Sequence, residues 1–362
     1  MDHIEVFGLS SNGLSNDSIA VMDTWQNLRV TRNFTKPNDF TLTVVASEAN
    51  LENLKPKNHI KIGTVLYDIE TINSDGLLLT AMGRSMSHQM SRGYQNYTFS
   101  RNSIEPEMAA ELIIWGLGAV QSKFLHGERI EPFSDFKIRY QFTYRDYLEV
   151  ITELCETYDF GYKETFAAKG SGVIGSQYVN INSIRVIKGS DLSEKVIFSV
   201  ENENLLSESL EISYKDYKNY AVVYGEGEGI HRKYEVVDIR TPEDETFSQL
   251  YVDARDLQSE VEDGVILSDE EYRAMLRDRG LKKLAEYAPV FSLSGTIDAK
   301  SKLFKLGVDY DVGDIVTIES EKFNIKTNLQ ITSIQETWDS AGYHIDPVFG
   351  RESPTIFEKL RR

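Results

Sequence analysis

A histidine and a glutamate two residues apart are the first candidates for chemistry in this 362-residue sequence. His126 and Glu128 have the spacing at which zinc deaminases place a metal ligand and a proton-transferring carboxylate. Those enzymes also take thiolate ligands from a Pro-Cys-x-x-Cys segment, whereas Cys155 is the only cysteine here. No two of the six histidines have metal-ligand spacing, and no His-Glu-x-x-His segment occurs. We therefore predict a loop around His126 and no metal site.

Nucleophilic catalysis would need an activated cysteine or serine. Cys155 falls on the apolar stripe of a predicted helix, which indicates a buried structural thiol, whereas a reactive thiolate needs an exposed and electropositive setting. No Gly-x-Ser-x-Gly segment is present. A Ser-His-Asp triad stays open, because its members need not be neighbours in sequence. No catalytic residue is assigned.

Two further segments have the composition of ligand-binding loops. Glycine is concentrated in Gly225–Gly229, but glutamates alternate with it and a strand-like segment follows, so we predict a strand connection rather than a phosphate cradle. Carboxylates are concentrated in Asp309–Asp314, which lacks the order of ligand positions found in an EF-hand. We predict a turn there, with a weak cation site as the alternative.

Charge and composition exclude several classes of protein. Lys and Arg total 39 against 57 Asp and Glu, and the net charge of −18 argues against tight binding of nucleic acid. One cysteine excludes an internal disulfide. The N-terminus lacks the pattern of a secretory signal, and the longest apolar stretch, 112–120, is shorter than the roughly 20 residues that span a bilayer. We expect a globular chain of two or three domains without a membrane-spanning segment.

The pattern of apolar residues changes twice along the chain. Alternation predicts short strands up to about residue 85, typical of a small barrel or sandwich. A helical period then follows, with Pro106 opening one helix, and Thr143 and Gly161 bounding a second. Residues 167–177 are rich in Gly and Ser and predict a flexible loop before strands at 181–187 and 195–200.

From about residue 205 the pattern predicts strands again. The candidates are 210–214, 220–224, 233–239, 291–297, 314–320, 329–338 and 343–348. One helix interrupts them, with a capping box at Ser268 and Glu271 and an end at Pro289. Gly280 inside this helix predicts close packing or a bend.

A faint internal repeat links the two β-rich parts. The apolar residues Ile60, Ile62, Leu66, Ile69 and Ile72 recur in similar order as Val316, Ile318, Leu329, Ile331 and Ile334. Two related barrels would leave such a pattern, and so would ordinary strand alternation. From the residues alone the sequence indicates an acidic, β-rich protein with a structural role.

Several segments also share their order and spacing with a known family. In the C-terminal half these are Val222–Glu226, Tyr251–Asp256, Leu267–Tyr272, Arg279 with Gly280, Phe304–Val316, Ile331–Thr337 and Val348–Gly350. In the N-terminal part they are Trp25–Arg29, Phe40–Leu42 and the strand with Tyr67, Ile69 and Ile72. Together they resemble the tail-hub, or minor structural, proteins of phages with Gram-positive hosts.

The resemblance implies an α+β fold similar to the central baseplate hub of contractile tails. Residues 1–95 would form an antiparallel β-barrel domain, and 96–205 an α/β domain with two helices and the Gly/Ser-rich loop. A second β-barrel domain would cover 206–362, with a helical insertion around 268–288. Three copies with two barrels each would present six similar barrels to a sixfold tail ring, through heterologous contacts.

The same resemblance implies a non-enzymatic virion protein that is assembled in the bacterial cytoplasm. As a homotrimeric hub or plug it would close the tail-tube tip and open for DNA without binding it specifically. Implied partners are the distal tail protein ring or tail tube protein, the tape measure protein, and a receptor-binding protein or separate lysin or fibre chain. No catalytic residue, metal or cofactor is expected. Many relatives continue into an extension that bears a fibre or a wall-degrading domain, whereas this chain stops at Arg362. Any lytic domain is therefore expected on another chain.

Two other functions remain alternatives. One is a tail-associated cell-wall hydrolase or peptidase within residues 100–200, and the other is a receptor- or carbohydrate-binding protein that uses exposed Tyr and Trp. The charge of −18 is also open to two interpretations. It either repels DNA phosphates from the wall of a tube or serves solubility.

Overall fold

Antiparallel strands make up most of the molecule, as the alternating sequence predicts. A computed structural model describes residues 3–10, 13–14, 18–93, 98–120, 125–174, 177–242, 244, 246–261, 265–297 and 303–351. The strands are β1 Ile4–Phe7, β2 Leu9–Ser10, β3 Gly13–Leu14, β4 Ala20–Met22, β5 Asn27–Asn33, β6 Asp39–Val45, β7 His59–Ile62, β8 Val65–Ser74, β9 Leu78–Ser85, β10 Phe99–Ile104, β11 Leu125–Gly127, β12 Ile138–Phe142, β13 Gly161–Ile174, β14 Gln177–Ile187, β15 Ile197–Phe198, β16 Leu205–Ser213, β17 Tyr220–Tyr224, β18 Tyr234–Asp238, β19 Gln249–Asp253, β20 Glu260–Val261, β21 Val265–Ile266, β22 Val290–Ile297, β23 Ile315–Ser320, β24 Ile325–Asp339 and β25 Gly342–Arg351.

The helices are fewer and lie mostly in the middle of the chain. They are α1 Glu48–Asn53, α2 Pro106–Val120, α3 Tyr147–Tyr158 and α4 Asp269–Glu286, with 3-10 turns at Met86–Arg92 and Gly229–His231. The predicted capping box of α4 is confirmed, since the Ser268 hydroxyl accepts from Glu271 N–H and the Glu271 carboxylate accepts from Ser268 N–H. None of the helices in the described ranges combines the length and apolar character that crossing a bilayer requires.

The predicted ends of α3 are wrong. Asp146 is the N-cap and accepts from Glu149 N–H, whereas Thr143 contacts Thr98 across the β10–β12 pair at 2.9 Å between their Oγ1 atoms. The helix ends at Asp159, which adopts φ 54°, a left-handed conformation that Asp tolerates better than most residues. Gly161 is instead the first residue of β13.

The described part of the Gly/Ser-rich segment forms paired strands rather than the predicted loop, and residues 175–176 lie outside the described residues. β13 and β14 pair antiparallel from Gly161↔Ile187 to Ile174↔Gln177, with a register shift between Ala167 and Gly172. Small residues do not prevent pairing, because the ladder hydrogen bonds come from the backbone. The strand prediction at 181–187 is confirmed by β14, and the one at 195–200 is realised only at β15.

A single 13-stranded sheet connects the two ends of the chain. Its order is β16-β22-β25-β24-β5-β6-β9-β8-β7-β1-β4, while β23 pairs with the first part of β24 and with β15. We call β1 and β4–β9 the N-terminal β-unit, and β15, β16 and β22–β25 the C-terminal β-unit. Each has its own core, built around Phe40 and Tyr67 in the first and around Phe198 and Phe349 in the second.

Two α/β units pack beside this sheet. The central unit comprises β10–β14, α2 and α3, and its core includes Phe142, Ile151 and Leu154. The small unit comprises β17–β19 and α4, and lies between β16 and β22 in sequence. The helix predicted around 268–288 is therefore part of a larger insertion with its own three-stranded sheet, in the order β18-β17-β19.

Candidate functional site

β24 is the strand that joins the two β-units. Its C-terminal half pairs with β25 on one side and with β5 on the other, from Ser333↔Asn33 to Asp339↔Asn27. Ile331 and Ile334 of β24 lie in the C-terminal core, whereas Trp338 packs against the N-terminal core. The two units are therefore joined edge to edge by continuous backbone hydrogen bonds.

An ion-pair cluster lies at this joint, where the two cores meet. Arg32 of β5 reaches Glu336 of β24 at 3.1 Å (Nε to Oε2) and Asp311 at 2.9 Å (Nη1 to Oδ1). Lys163 of the central unit contacts the other Asp311 oxygen at 3.1 Å. All but the lysine are mostly buried side chains. Asp311 thus ties three units together.

Phe34 fills the same junction. Its ring is 1% exposed, and its carbonyl accepts from Tyr162 N–H at 3.1 Å. A Cβ at Gly161 would lie 2.2 Å from the Phe34 carbonyl oxygen, and one at Gly313 would lie 2.2 Å from the ring. Gly313 also has φ +97°, so glycine is required there for both conformation and space.

Hydroxyl and amide side chains cover much of the face of the sheet that lies opposite the cores. Since paired residues share a face, the strand registers define three rows that cross both β-units. We call them the hydroxyl face: Ser207, Thr296, Asp346, Gln335, Thr31, Asp39, Arg84; His344, Thr337, Arg29, Thr41, Met82; and Asp339, Asn27, Thr43, Thr80.

Hydrogen bonds between neighbouring strands hold the side chains of the hydroxyl face in place. Thr296 donates to Asp346 at 2.6 Å, Thr31 donates to Asp39 at 3.1 Å, and the Thr43 and Thr80 hydroxyls lie 3.1 Å apart. The rows contain aspartates and arginines in nearly equal number and no lysine. The surface is therefore polar, weakly charged and evenly spread over both units.

A buried charged cluster fixes the small unit to the central unit. Arg145 contacts the Glu153 carboxylate at 2.7 Å, and both side chains are largely buried. From α4, Arg279 makes a two-point ion pair with Asp256 at 2.9 and 3.0 Å, and Lys282 lies 4.5 Å from the centre of the Tyr140 ring. Burial alone would raise the pKa of Glu153, but the surrounding cations outweigh it and hold that pKa well below its usual value.

Two more buried carboxylates lie near the 3-10 turn Met86–Arg92. Asp68 contacts His59 Nε2 at 2.7 Å and Gln89 Nε2 at 2.9 Å. Burial would raise the pKa of Asp68, but the hydrogen bond and charge of His59 lower it overall. Glu164 accepts from both the backbone and the hydroxyl of Ser87, at 2.9 and 2.7 Å, and burial raises its pKa. Both carboxylates therefore have their hydrogen-bond partners within the fold.

His126 lies in β11, and Glu128 directly follows that strand. The loop prediction at His126 is wrong: its backbone belongs to β11 and pairs in parallel with Ser183 of β14. The His126 side chain lies outside the described residues. Glu128 donates its N–H to the Ile184 carbonyl at 2.8 Å. Within the described ranges, no three His, Cys, Asp or Glu side chains are grouped closely enough to hold a metal ion.

The other motifs take the structural form that was predicted. Cys155 is buried in the central core, and burial raises its pKa well above the usual value, which confirms a structural thiol. Gly225–Gly229 connects β17 to β18, with Gly225 N–H donating to the Lys233 carbonyl at 2.8 Å. The Glu226 carboxylate accepts from Ser259 N–H and hydroxyl at 2.8 and 2.6 Å. It is thus part of the loop's own framework.

The aspartate-rich segment is the predicted turn before β23. Its carboxylates have separate partners: Asp309 accepts from Lys305 N–H at 2.8 Å, and Asp314 accepts from Ser190 and Asp311 N–H, both at 2.8 Å. Asp311 is committed to Arg32 and Lys163. The alternative of a weak cation site is therefore disfavoured, because these oxygens do not converge on one point.

Sequence reasoning missed the residues of the joint. Arg32, Glu336 and Asp311 lie far apart in the chain, and nothing in their local pattern distinguishes them from other surface charges. Glu153 and Arg145 gave a weak signal, because a glutamate lies among the apolar residues of α3. Such a charge within an apolar run indicates a buried ion pair once the partner is known.

Three solved structures that share this fold are tail proteins. The tail protein from Neisseria meningitidis MC58 matches with a TM-score of 0.57 and 12% identity, over 97% of this chain and 96% of that chain. The 43 kDa tail protein of prophage MuSo2 from Shewanella oneidensis matches with a TM-score of 0.54 and 13% identity, over 96% and 98% of the two chains. Prophage tail protein gp18 from Listeria monocytogenes EGD-e gives 0.51 and 13%, over 99% and 97%.

A family comparison agrees with these structures. No curated protein matches the chain. A family model described as Siphovirus ReqiPepy6 Gp37-like protein matches residues 119–351, which cover most of the C-terminal two thirds. The resemblance to phage tail proteins that the sequence motifs indicated is confirmed. The chain belongs to the family of Siphovirus ReqiPepy6 Gp37-like phage tail proteins.

Proposed function

We propose that this chain is a non-enzymatic hub of the phage tail tip, in which three copies form a ring that closes the tail tube. The observation that carries the proposal is the sheet that runs through β24 and β5 and places two β-units side by side in one chain. Three such chains would supply six similar units. A ring of this kind matches the sixfold symmetry of a tail tube and would contact the distal tail protein or the tail tube protein.

The strand order supports the proposal that each β-unit is a small barrel. In the C-terminal unit the order runs β16-β22-β25-β24-β23-β15, and Leu205 N–H at the start of β16 donates to the Ser199 carbonyl just after β15 at 3.1 Å. This bond lies in the short connection between β15 and β16, which are the last and first strands of the order. In the N-terminal unit the strands from β5 to β4 surround one core, to which Leu28 of β5 and Met22 of β4 both contribute.

We further propose that the hydroxyl face lines the channel. Phosphate binding needs concentrated Lys and Arg, and this face holds two arginines, no lysine and three aspartates. DNA would therefore pass over hydroxyl and amide groups without being held. Low friction would come from the scarcity of cations on the channel wall, and not from a dense layer of anions.

The assembly state tests the hub directly. Size-exclusion chromatography with light scattering should find three copies of the 41.2 kDa chain, either as the chain alone or in a complex with the distal tail protein of the same phage after the mass of that partner is subtracted. Electron microscopy of the complex should then place the hydroxyl face on the channel. A complex of different copy number, or one with this face on its outer surface, would overturn the proposal.

A cell-wall assay tests the non-enzymatic part separately. The full chain should leave no clear band on a zymogram of host cell walls, because the buried carboxylates of Glu153, Asp68 and Glu164 are engaged in contacts within the fold and the Cys155 thiol is buried. A clear band that persists after repurification would show that the alternative of a hydrolase is correct.

A further inference from the structure

The small unit has a sheet face that no other element of the described chain covers. The buried face, with Ala221, Val223 and Val237, packs against α4. Close approach of the helix requires Gly280, since a Cβ there would lie 2.6 Å from Val237. The opposite face of the same strands presents a row of tyrosines to solvent.

Three of these tyrosines form an almost continuous aromatic surface. Tyr224 lies between Tyr234 and Tyr251, with ring centres 5.9 and 5.5 Å apart and interplanar angles of 37° and 31°. Tyr234 is 54% exposed and Tyr251 is 63% exposed. Contiguous exposed apolar surface of this kind marks interaction sites, whereas single exposed side chains are common.

Arg232 holds this surface rigid. It donates to the Gly225 carbonyl at 3.0 Å, to the Tyr251 hydroxyl at 3.1 Å and to the Asp253 carboxylate at 2.9 Å, and its side chain is 13% exposed. Its guanidinium also lies over the Tyr224 ring. A surface fixed in this way loses little conformational entropy when a ligand binds.

A cavity of about 440 Å³ opens beside Tyr224 and Tyr251, within the roughly 300–1,000 Å³ typical of small-molecule sites. The loop Gly227–Gly229 forms one wall, and Gly229, with φ +53°, has open space on its Cβ side. Glu228 and Arg255 complete the rim. We call this group the tyrosine pocket.

The charges of the tyrosine pocket cancel. Arg232 and Arg255 both pair with Asp253, at 2.9 Å and in a two-point contact respectively, and Glu228 supplies a second negative charge. Because both arginines are already paired with a carboxylate, an anion would gain little binding energy in the pocket. A cation would gain little for the same reason, since the net charge is zero. What remains is a flat aromatic surface bordered by hydrogen-bond donors and acceptors.

A neutral sugar has the chemistry that fits these features. A pyranose ring presents C–H groups on one face, which pack on tyrosine rings, and hydroxyls around its edge, which bond to carboxylates and guanidinium groups. We propose that the tyrosine pocket binds a neutral sugar ring stacked on Tyr224 and Tyr251. This would give the tail protein a saccharide-binding function in addition to its structural role.

Saturation-transfer NMR on the full chain tests this with methyl glycosides of glucose, galactose, rhamnose and N-acetylglucosamine. At least one should bind saturably with a Kd of about 1–10 mM. Tyr251→Ala should weaken that binding about tenfold, and Tyr251→Phe, which keeps the ring, by less than about threefold. The matched control Tyr214→Ala removes a tyrosine that is also exposed, at 66%, but lies outside the pocket; it should change nothing.

Results of three kinds would overturn the proposal. The first is no saturable response to any of the four sugars. The second is binding that Tyr251→Ala leaves intact, which would place the sugar elsewhere. The third is a response to inorganic phosphate alone, or a Tyr251-dependent change of mass in light scattering without a sugar response. These would assign the face to an anion or to a second copy of the chain.

Discussion

The buried charged side chains of this protein form ion pairs that hold its units in one relative arrangement. Glu153, Arg145 and Arg279 lie where α3 and α4 meet, and Asp311 joins the two β-units through Arg32. The contact of Asp311 with Lys163 of the central unit is not one of these buried pairs, because the lysine side chain is 56% exposed. A buried ion pair contributes less net stability than apolar packing, but loss of one partner leaves an uncompensated charge. Each pair therefore fixes one arrangement of the units.

Replacement of Glu153 tests this at a single residue. Glu153→Gln should lower the free energy of unfolding by about 3–5 kcal/mol, because the buried Arg145 loses its main counter-charge. Urea denaturation followed by circular dichroism would measure it. The matched control is Glu149→Gln, which removes another partner of Arg145 whose side chain is 49% exposed, and should cost under about 1 kcal/mol. Equal effects of the two changes would contradict this role.

The same carboxylate predicts the response to acid. Because the pKa of Glu153 is lower in the folded protein than its ordinary 4.5, its contribution is complete above that pH and is lost as pH falls toward the folded value. The Asp68 pKa is also lowered and acts in the same direction. Urea midpoints should therefore decline below pH 4.5 in the wild type and less steeply in Glu153→Gln. Parallel declines would show that Glu153 has no part in the acid response.

At the scale of elements, a glycine in a helix can decide how closely that helix packs against the neighbouring sheet. Gly280 faces Val223 and Val237, and a Cβ there would lie 2.7 and 2.6 Å from their methyl groups. Gly116 of α2 has open space around it. The two helical glycines thus offer a comparison in which propensity is the same and packing differs.

Alanine at each glycine should change stability in opposite directions. Gly280→Ala should destabilise by about 1–3 kcal/mol, since overpacking against β17 and β18 outweighs the gain in helix propensity. Gly116→Ala should stabilise by about 0.5–1 kcal/mol. Thermal melts of both variants would measure this. Stabilisation by Gly280→Ala would mean that α4 does not pack as closely as described.

At the scale of the whole molecule, the shared strand β24 should make the two β-units unfold together. Trp338→Ala removes a side chain that β24 places in the N-terminal core, and should split a single calorimetric transition into two. Trp25→Ala provides the control, because Trp25 packs on that core from within its own unit. Trp25→Ala should lower the melting temperature without splitting the transition. A single transition in Trp338→Ala would show that other contacts couple the units.

The proposed channel leads to a prediction about DNA passage. The double substitution Thr41→Lys and Thr337→Lys adds cations to β6 and β24, the two strands that flank β5 on the hydroxyl face. It should slow DNA ejection from assembled particles at low salt, with recovery at high salt. Val308→Lys, at a position 77% exposed on a turn, is the matched control. Time-resolved fluorescence of released DNA would measure the rate. Unchanged ejection by the double variant would exclude this face from the channel.

The sequence predicted those helices and strands whose formation depends on residues close together in the chain. The capping box at Ser268 and the alternation in β6, β8 and β24 could be identified without neighbours, because caps and strand faces depend on residues close in sequence. The ends of α3 and the strand pairing within 167–177 were missed. At the two predicted ends of α3, a residue's role depends on its partner: Thr143 on Thr98, and Gly161 on the Phe34 backbone. The described part of 167–177 depends in the same way on the pairing of β13 with β14.

By itself the sequence determined the β-rich class, the buried thiol and membership of a tail-protein family. Only the tertiary structure decided that β5 pairs with β24, and that their polar sides form one hydroxyl face across both units. Only it brought Tyr224, Arg232 and Tyr251 into one pocket. The reason is physical: periodicity reports which side of a strand avoids water, whereas register between distant strands follows from the packing of whole cores.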